Sequence, residues 1–439
     1  MKKVILFIML MCISLSAVRA QQADAYIASL INDEDWFSLA EEWPQYRDSL
    51  TVDYLKLIAD AMLASHTNHP DDAITALNQL LAEHQEKIGS ATSINFALMR
   101  LQLIGSCGRY GEAADGIRRI YELLESAGVT ETQHLHSQYA HYNALRDFAP
   151  MSISRPVQDV TIPFQLMEPQ VKRREDWMRS GSKGYKGNMM TVPVSIHGRD
   201  YSFIFDTGAG ATFIFEKTAR EMGLTILPDT IIINGSQKGL RAYIDSLQIG
   251  DITCRNLIAY VGLSDAIDTL MVGTNAILGM DIMAALGELQ LHMNRQEMTI
   301  PAHSTPIPLG MKANLLIDGN LLMRAHKDSI PLTFYLDSGC STAELYSDYF
   351  KKFASEVELT AQKDTITTLS YGQIHNEEVL LLPTVSFNVS GKPIRMEEMY
   401  LHPSSEAYLS MHDGRMGMEY FLLFNSVLIN LNDMYVLVE

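Results

Sequence analysis

Phe203-Ile204-Phe205-Asp206-Thr207-Gly208-Ala209 sets three apolar residues of strand character directly before an acid, a small hydroxyl residue and a glycine. A carboxylate at the end of a buried strand is costly unless it is hydrogen-bonded or shared with another group. The glycine lets the backbone turn back and aim its N–H groups at the acid. A single copy of this pattern reads as a strand ending in an Asx-type turn.

The chain carries it twice. Thr333-Phe334-Tyr335-Leu336-Asp337-Ser338-Gly339 repeats the order 131 positions later. Downstream of each copy lies a second matched block, Ala276-Ile277-Leu278-Gly279-Met280-Asp281 and Arg415-Met416-Gly417-Met418-Glu419. Further on, Leu289 to Asn294 and Val427 to Asn432 alternate in the same phase. The C-terminal half is therefore an internal duplication with a few extra residues in its second copy.

Apolar-apolar-D-[ST]-G followed by apolar-G-M-[DE] resembles the aspartic peptidase clan. The first copy is most similar to its retropepsin-like bacterial members, and two fused copies resemble the bilobal arrangement of pepsin. The resemblance covers roughly residues 190 to 439. It implies that Asp206 and Asp337 are the catalytic pair, brought together by a pseudo-two-fold axis. It also implies that Thr207 and Ser338 reach across to the opposite lobe's backbone and that Gly208 and Gly339 supply N–H groups to the carboxylates. Gly279 and Gly417 match the glycines that let the downstream chain pass close to the active loops. Flap candidates follow from the same resemblance: the hairpin around Asn234-Gly235 with Gly239 in the first lobe, and Tyr371-Gly372 in the second. Cys340 departs from the Ser or Thr usual in bilobal enzymes, and Met416-Gly417 differs from Leu278-Gly279. These departures leave open a degenerate second lobe kept for shape.

The chemistry such a pair performs follows from electrostatics. Two carboxylates about 3 Å apart cannot both stay ionised, so they hold one proton between them over a wide acidic range. The pair can take a proton from water while donating one to a peptide carbonyl, which is general acid–base hydrolysis without a covalent intermediate.

Composition sets outer bounds. A chain of 439 residues that is 47% hydrophobic has room for two or three domains with ordinary cores. Lys2 and Lys3, an uncharged Val4–Met11 run and Val18-Arg19-Ala20 read as a signal peptide over residues 1–20, cleaved before Gln21. Cys12 raises a lipoprotein alternative, although Leu10-Met11 are not the small residues that usually precede a lipidated cysteine. No apolar run is long enough to span a bilayer. A net charge of −18 argues against nucleic acid and anionic membrane surfaces as partners. Cys107, Cys254 and Cys340 are too few and scattered for a disulfide framework.

Residues 21–148 read as helical. Tyr54-Leu55-x-Leu57-Ile58-x-x-Ala61-Met62 and Ala73-Ile74-x-x-Leu77-x-x-Leu80-Leu81 each follow the spacing of one buried helical face, with a turn at Asn68-His69-Pro70-Asp71-Asp72. A second pair, Phe96–Cys107 and Ala113–Leu124, flanks Gly108-Arg109-Tyr110-Gly111. Helix, turn and alanine-led helix resemble tetratricopeptide-type repeats; a plain helical bundle fits equally well. His134, His136 and His141 lack an acid or cysteine at metal-site spacing and read as surface or packing residues. Residues 149–189 lose periodicity and read as a linker, with Val160–Leu166 as one strand added to a sheet edge. Lys172-Arg173-Arg174 within it reads as a solvated tether; a prosegment-like basic stretch that neutralises the acids is the alternative.

The expected architecture is thus α plus all-β multidomain: helical repeats, then two duplicated retropepsin-like β-barrel lobes over 190–305 and 306–439. The expected function is an exported aspartic endopeptidase, periplasmic or secreted. It acts on peptides or proteins, needs no metal or other cofactor, and is monomeric because the lobes are fused. The competing expectation is an inactive protease fold that binds peptides and contacts partners through its helices. A dimer pairing Asp206 with its own copy is unnecessary when each chain has two acids.

Overall fold

Pro70 has no N–H to leave unpaired and sits at the first position of the helix Pro70–Glu83, followed by Asp71 and Asp72 at its positive end. Ile74, Leu77 and Leu80 form the buried face of that helix. The computed structural model describes residues 21–167, 170–171, 188–233, 237–263, 271–272, 276–370, 373–403 and 412–439. It divides after Pro150 into two compact units. The first is helical: a helix over 21–32 is followed by Trp36–Tyr46, Asp53–His66, Pro70–Glu83, Ser90–Ser106, Tyr110–Ser126 and Gln133–Ala144. Gly116 lets the helices Ser90–Ser106 and Tyr110–Ser126 close on each other, because a Cβ there would run into Leu101. His136 donates a ring N–H to Glu125 at 2.7 Å and packs against the Tyr121 ring. Among the described residues no group of three His, Cys, Asp or Glu is placed to hold a metal ion, and no helix is long and apolar enough to cross a membrane.

The second unit is β-rich, and its two halves share one plan. Met189–Ile196 and Arg199–Phe205 form a hairpin through His197-Gly198, both at positive φ as a tight hairpin turn requires. Arg199–Phe205 then pairs in parallel with Ala276–Leu278, which in turn pairs antiparallel with Phe213–Phe215. The second half repeats this with Ile330–Leu336 parallel to Gly414–Met416, itself antiparallel to Glu344–Leu345. Phe203, Phe205, Phe334 and Leu336 are fully buried, so both acid-bearing strands are anchored in core.

Between the halves lies a five-stranded antiparallel sheet with Glu288–His292 and Ser426–Asn430 at its centre. Gln290 faces Leu428 while Leu289 faces Ile429 and Leu291 faces Val427. Residues related by the duplication thus meet across this pair, and a pseudo-two-fold axis passes through it. Glu288 is buried here, accepting bonds from Thr305 N–H (2.6 Å), Thr305 Oγ1 (2.7 Å) and Asn430 Nδ2 (3.0 Å).

Much of the stretch read as a linker is structural. Ser152–Ser154 pairs with Ile252–Gly262, and the single edge strand expected over Val160–Leu166 is split: Val160–Pro163 lies at a sheet edge against Glu297–Ile300, while Gln165–Met167 pairs with Met189–Thr191 in another sheet. Val160, Ile162 and Phe164 alternate into the core, which overrides the proline-rich, loop-like composition. Lys172–Arg174 lies outside the described residues.

Candidate active site

Each acid sits where its strand leaves the sheet. Asp206 N–H donates to the Leu278 carbonyl at 3.2 Å, and Asp337 N–H donates to the Met416 carbonyl at 3.0 Å. The turns then fold back. Gly208 N–H donates to Asp206 Oδ1 at 2.8 Å, while Gly339 and Cys340 N–H both donate to Asp337 Oδ1 at 3.1 Å. These are the charge-assisted bonds that make an acid tolerable at a buried strand end.

The hydroxyl residues tie the two turns together. Thr207 Oγ1 donates to the Leu336 carbonyl at 2.5 Å and accepts from Ser338 N–H at 3.0 Å. Ser338 Oγ donates to the Phe205 carbonyl at 2.7 Å and accepts from Thr207 N–H at 3.0 Å. Both side chains are buried, so each hydroxyl has its donor and acceptor needs met inside the protein.

The glycines bring the acids together. A Cβ at Gly208 would lie 2.5 Å from Asp337 Oδ1, and one at Gly339 would overlap the Asp206 carboxyl group. Each lobe's glycine therefore leaves room for the other lobe's acid. Gly279 and Gly417 act one layer behind: a Cβ at Gly279 would strike the Ala211 backbone, and one at Gly417 the Thr342 carbonyl. Asp281 and Glu419 also brace these loops. Asp281 accepts from Thr212 N–H (2.9 Å) and Thr212 Oγ1 (2.8 Å), and Glu419 accepts from Ala343 N–H at 3.0 Å. The sequence signal for this bracing is the acid of each G-M-[DE] block.

The two carboxyl groups are coupled. Burial first, then the Asp337 charge and a side-chain hydrogen bond with Asp337, raise the Asp206 carboxyl to about 7. The pair can hold a single proton far above the usual carboxylate range, with the titration belonging to both groups together. Cys340 stands against this site as a neutral thiol, pushed up to about 12 by burial.

The flap candidates are only partly described. Ile231–Ile233 pairs with Gln237–Gly239, where Gly239 allows close packing because a Cβ would meet Ile233 and lie 2.8 Å from the Val261 carbonyl oxygen. Gly235, Tyr371 and Gly372 lie outside the described residues. The strands Gln362–Ser370 and Gln373–Val389, which flank the last two in sequence, pair antiparallel. Sequence reasoning missed Arg415 and Glu344, which place a charged pair beside Asp337. The signal was Arg415 itself, a charge in a block whose first copy reads Ala-Ile-Leu-Gly.

Residues 192–285 match the family model described as "gag-polyprotein putative aspartyl protease". No curated protein sequence matches the chain. Solved structures similar to it include an aspartic proteinase from Irpex lacteus, at 14% identity and a TM-score of 0.38, covering 63% of this chain and 96% of that one. A retropepsin-like aspartic protease from Rickettsia conorii is similar at 13% identity and a TM-score of 0.21, covering 34% of this chain and 90% of that one. The chain thus carries a helical unit followed by a β-rich unit, in which residues 192–285 match that family model and a second half repeats the D-[ST]-G turn.

Proposed function

We propose that the protein is an exported aspartic endopeptidase that hydrolyses peptide bonds with water activated by Asp206 and Asp337. The observation that carries this reading is the interlocked turn pair, in which each lobe's glycine is shaped around the other lobe's acid. An inactive, shape-only second lobe would have no need of that fit on both sides. The singly protonated pair is the working form. A water between the carboxyl groups gives its proton to the ionised partner as its oxygen attacks the carbonyl carbon, and the protonated partner donates to the carbonyl oxygen. In the collapse of the tetrahedral diol, one hydroxyl gives its proton to the ionised carboxylate as the C=O re-forms, the protonated partner gives its proton to the departing amine nitrogen, and the C–N bond breaks, leaving the pair singly protonated. Export rests on the charged, apolar and small-residue segments of residues 1–20. Peptide-library cleavage by the purified chain, with and without a statine-type inhibitor, tests the reading. Inhibitor-sensitive internal cleavage supports it, and absence of cleavage across pH 3 to 8 would count against it.

A further inference from the structure

The two lobes diverge where the duplication should make them alike. Beside Asp206, Ile277 faces Phe213 across the antiparallel pair. At the same register beside Asp337, Arg415 faces Glu344. Arg415 Nη2 donates to Glu344 Oε2 at 2.7 Å, and its Nη1 stands 3.7 Å from Asp337 Oδ2. Among the described residues Asp206 has no ion-pair partner, and the buried Arg415 Nε has no acceptor. An apolar residue fits the equivalent place in the first lobe, so packing alone does not call for an arginine here.

The charges around Asp337 can be counted. Burial pushes the Glu344 carboxyl up, but Arg415, His402 and the bond from Thr342 Oγ1 outweigh it, and its net direction is down. Burial pulls the Arg415 guanidinium down, yet the Glu344 carboxylate first, with Asp337 also contributing, holds it well above its ordinary value. Cys340 and Tyr346 are themselves pushed up by burial and stay neutral. His402 Nε2 stands 3.6 Å from Glu344 Oε2, the oxygen that Arg415 also contacts, and its Nδ1 lies 2.9 Å from Glu377 Oε1. Asp281 and Glu419, on the neighbouring short helices, accept from the Thr212 and Ala343 loops. Among these groups, the cation nearest the acid pair lies on the Asp337 side.

We propose that Arg415 is a positioning residue that breaks the symmetry of the acid pair, holding Asp337 as its ionised member and leaving the shared proton on Asp206. Asp337 then takes the proton from water, and Asp206 donates to the substrate carbonyl. The raised Asp206 carboxyl lies in the direction this requires. The division of catalytic labour rests on the peptidase reading; the division of the proton does not.

The test combines pH profiles of kcat/KM with a carboxyl titration on the full chain. Glu344→Gln removes the counter-ion of Arg415, so the field on Asp337 grows and both limbs of the profile move down by about one pH unit. Adding Arg415→Met to that background removes the cation and moves both limbs back up, whereas adding Arg415→Lys keeps them low. Carbon-13 titration of labelled aspartate carboxyls, assigned through Asp206→Asn and Asp337→Asn, should show the higher-pH step on Asp206. A higher-pH step on Asp337, or limbs that coincide in Glu344→Gln and its Arg415→Met double variant, would overturn the proposal. The carboxyl titration needs no turnover. A chain that cleaves nothing but titrates as expected would sink the peptidase reading and leave the proton assignment standing.

Discussion

Thr207 and Ser338 hold each other's loops: each hydroxyl donates to the carbonyl just before the opposite aspartate and accepts the other residue's N–H. Four buried bonds thereby fix the separation of the acids, and no bond in the set stands alone. Ser338→Ala leaves the Phe205 carbonyl and the Thr207 N–H without partners. It should cost roughly 2–4 kcal/mol, from about 1–3 kcal/mol per stranded group. Thr207→Val should behave alike, and the double variant should cost less than the two summed, because both singles break one network. Urea unfolding of the four proteins measures this; additive losses would show that the hydroxyls act independently.

Asp206, raised to about 7, gives a prediction for stability as well as for activity. A carboxyl whose folded value lies above its unfolded one binds its proton more tightly in the native state. Its favourable contribution is complete below about pH 4 and is lost as pH rises through about 7. Asp206→Asn removes that titration. The variant should melt higher than the parent at pH 8, with the difference vanishing by pH 4. A thermal scan at the two pH values checks the sign.

Gly339 is shaped around Asp206, so Gly339→Ala should displace the carboxyl more than it disturbs the fold. Misplacing a reacting group by about 1 Å costs on the order of a hundredfold in rate. A loss of about 1–3 kcal/mol in stability should accompany it, as overpacking typically does. Gly208→Ala, facing Asp337, should give the same result from the other lobe. Retained turnover in either variant would mean that the carboxyl groups sit further apart than the geometry places them.

Most of the site was legible because the duplication repeats its own evidence. Asp206 and Asp337 each gain meaning from the other, and the hydroxyl and glycine after them follow the same pairing. Arg415 and Glu344 escaped because they break the repeat, and a comparison of copies is blind to what only one copy has. The helix Ser347–Thr360 escaped for a different reason. Its buried face rests on Tyr349, Phe353 and Val357 among charged residues, with non-helical geometry at Phe353, so its periodicity is faint. The strands between Ser152 and Met167 are short and interrupted by prolines, and only pairing with distant strands makes them regular.

Glu288 and Asn430 carry a prediction about the sheet between the lobes. The buried Glu288 carboxylate is satisfied by Thr305, Ser304, Gln290 and Asn430. Asn430→Leu removes a donor and leaves a buried charge under-compensated, which typically costs about 3–5 kcal/mol. The companion variant Glu288→Gln, Asn430→Leu should recover part of that loss, because the charge leaves with its partner. Calorimetric unfolding of the single and double variants distinguishes the two outcomes.

The central claim is that one chain supplies both halves of a working acid pair. Its most direct test is the rate of peptide cleavage by Asp206→Asn and Asp337→Asn, measured beside the parent at pH 5 with circular dichroism to confirm folding. Each substitution should abolish cleavage while leaving the fold intact, since an amide on either side cannot share the proton. Near-normal cleavage by folded Asp337→Asn would contradict the account, and would mean that Asp206 works without its partner in the second lobe.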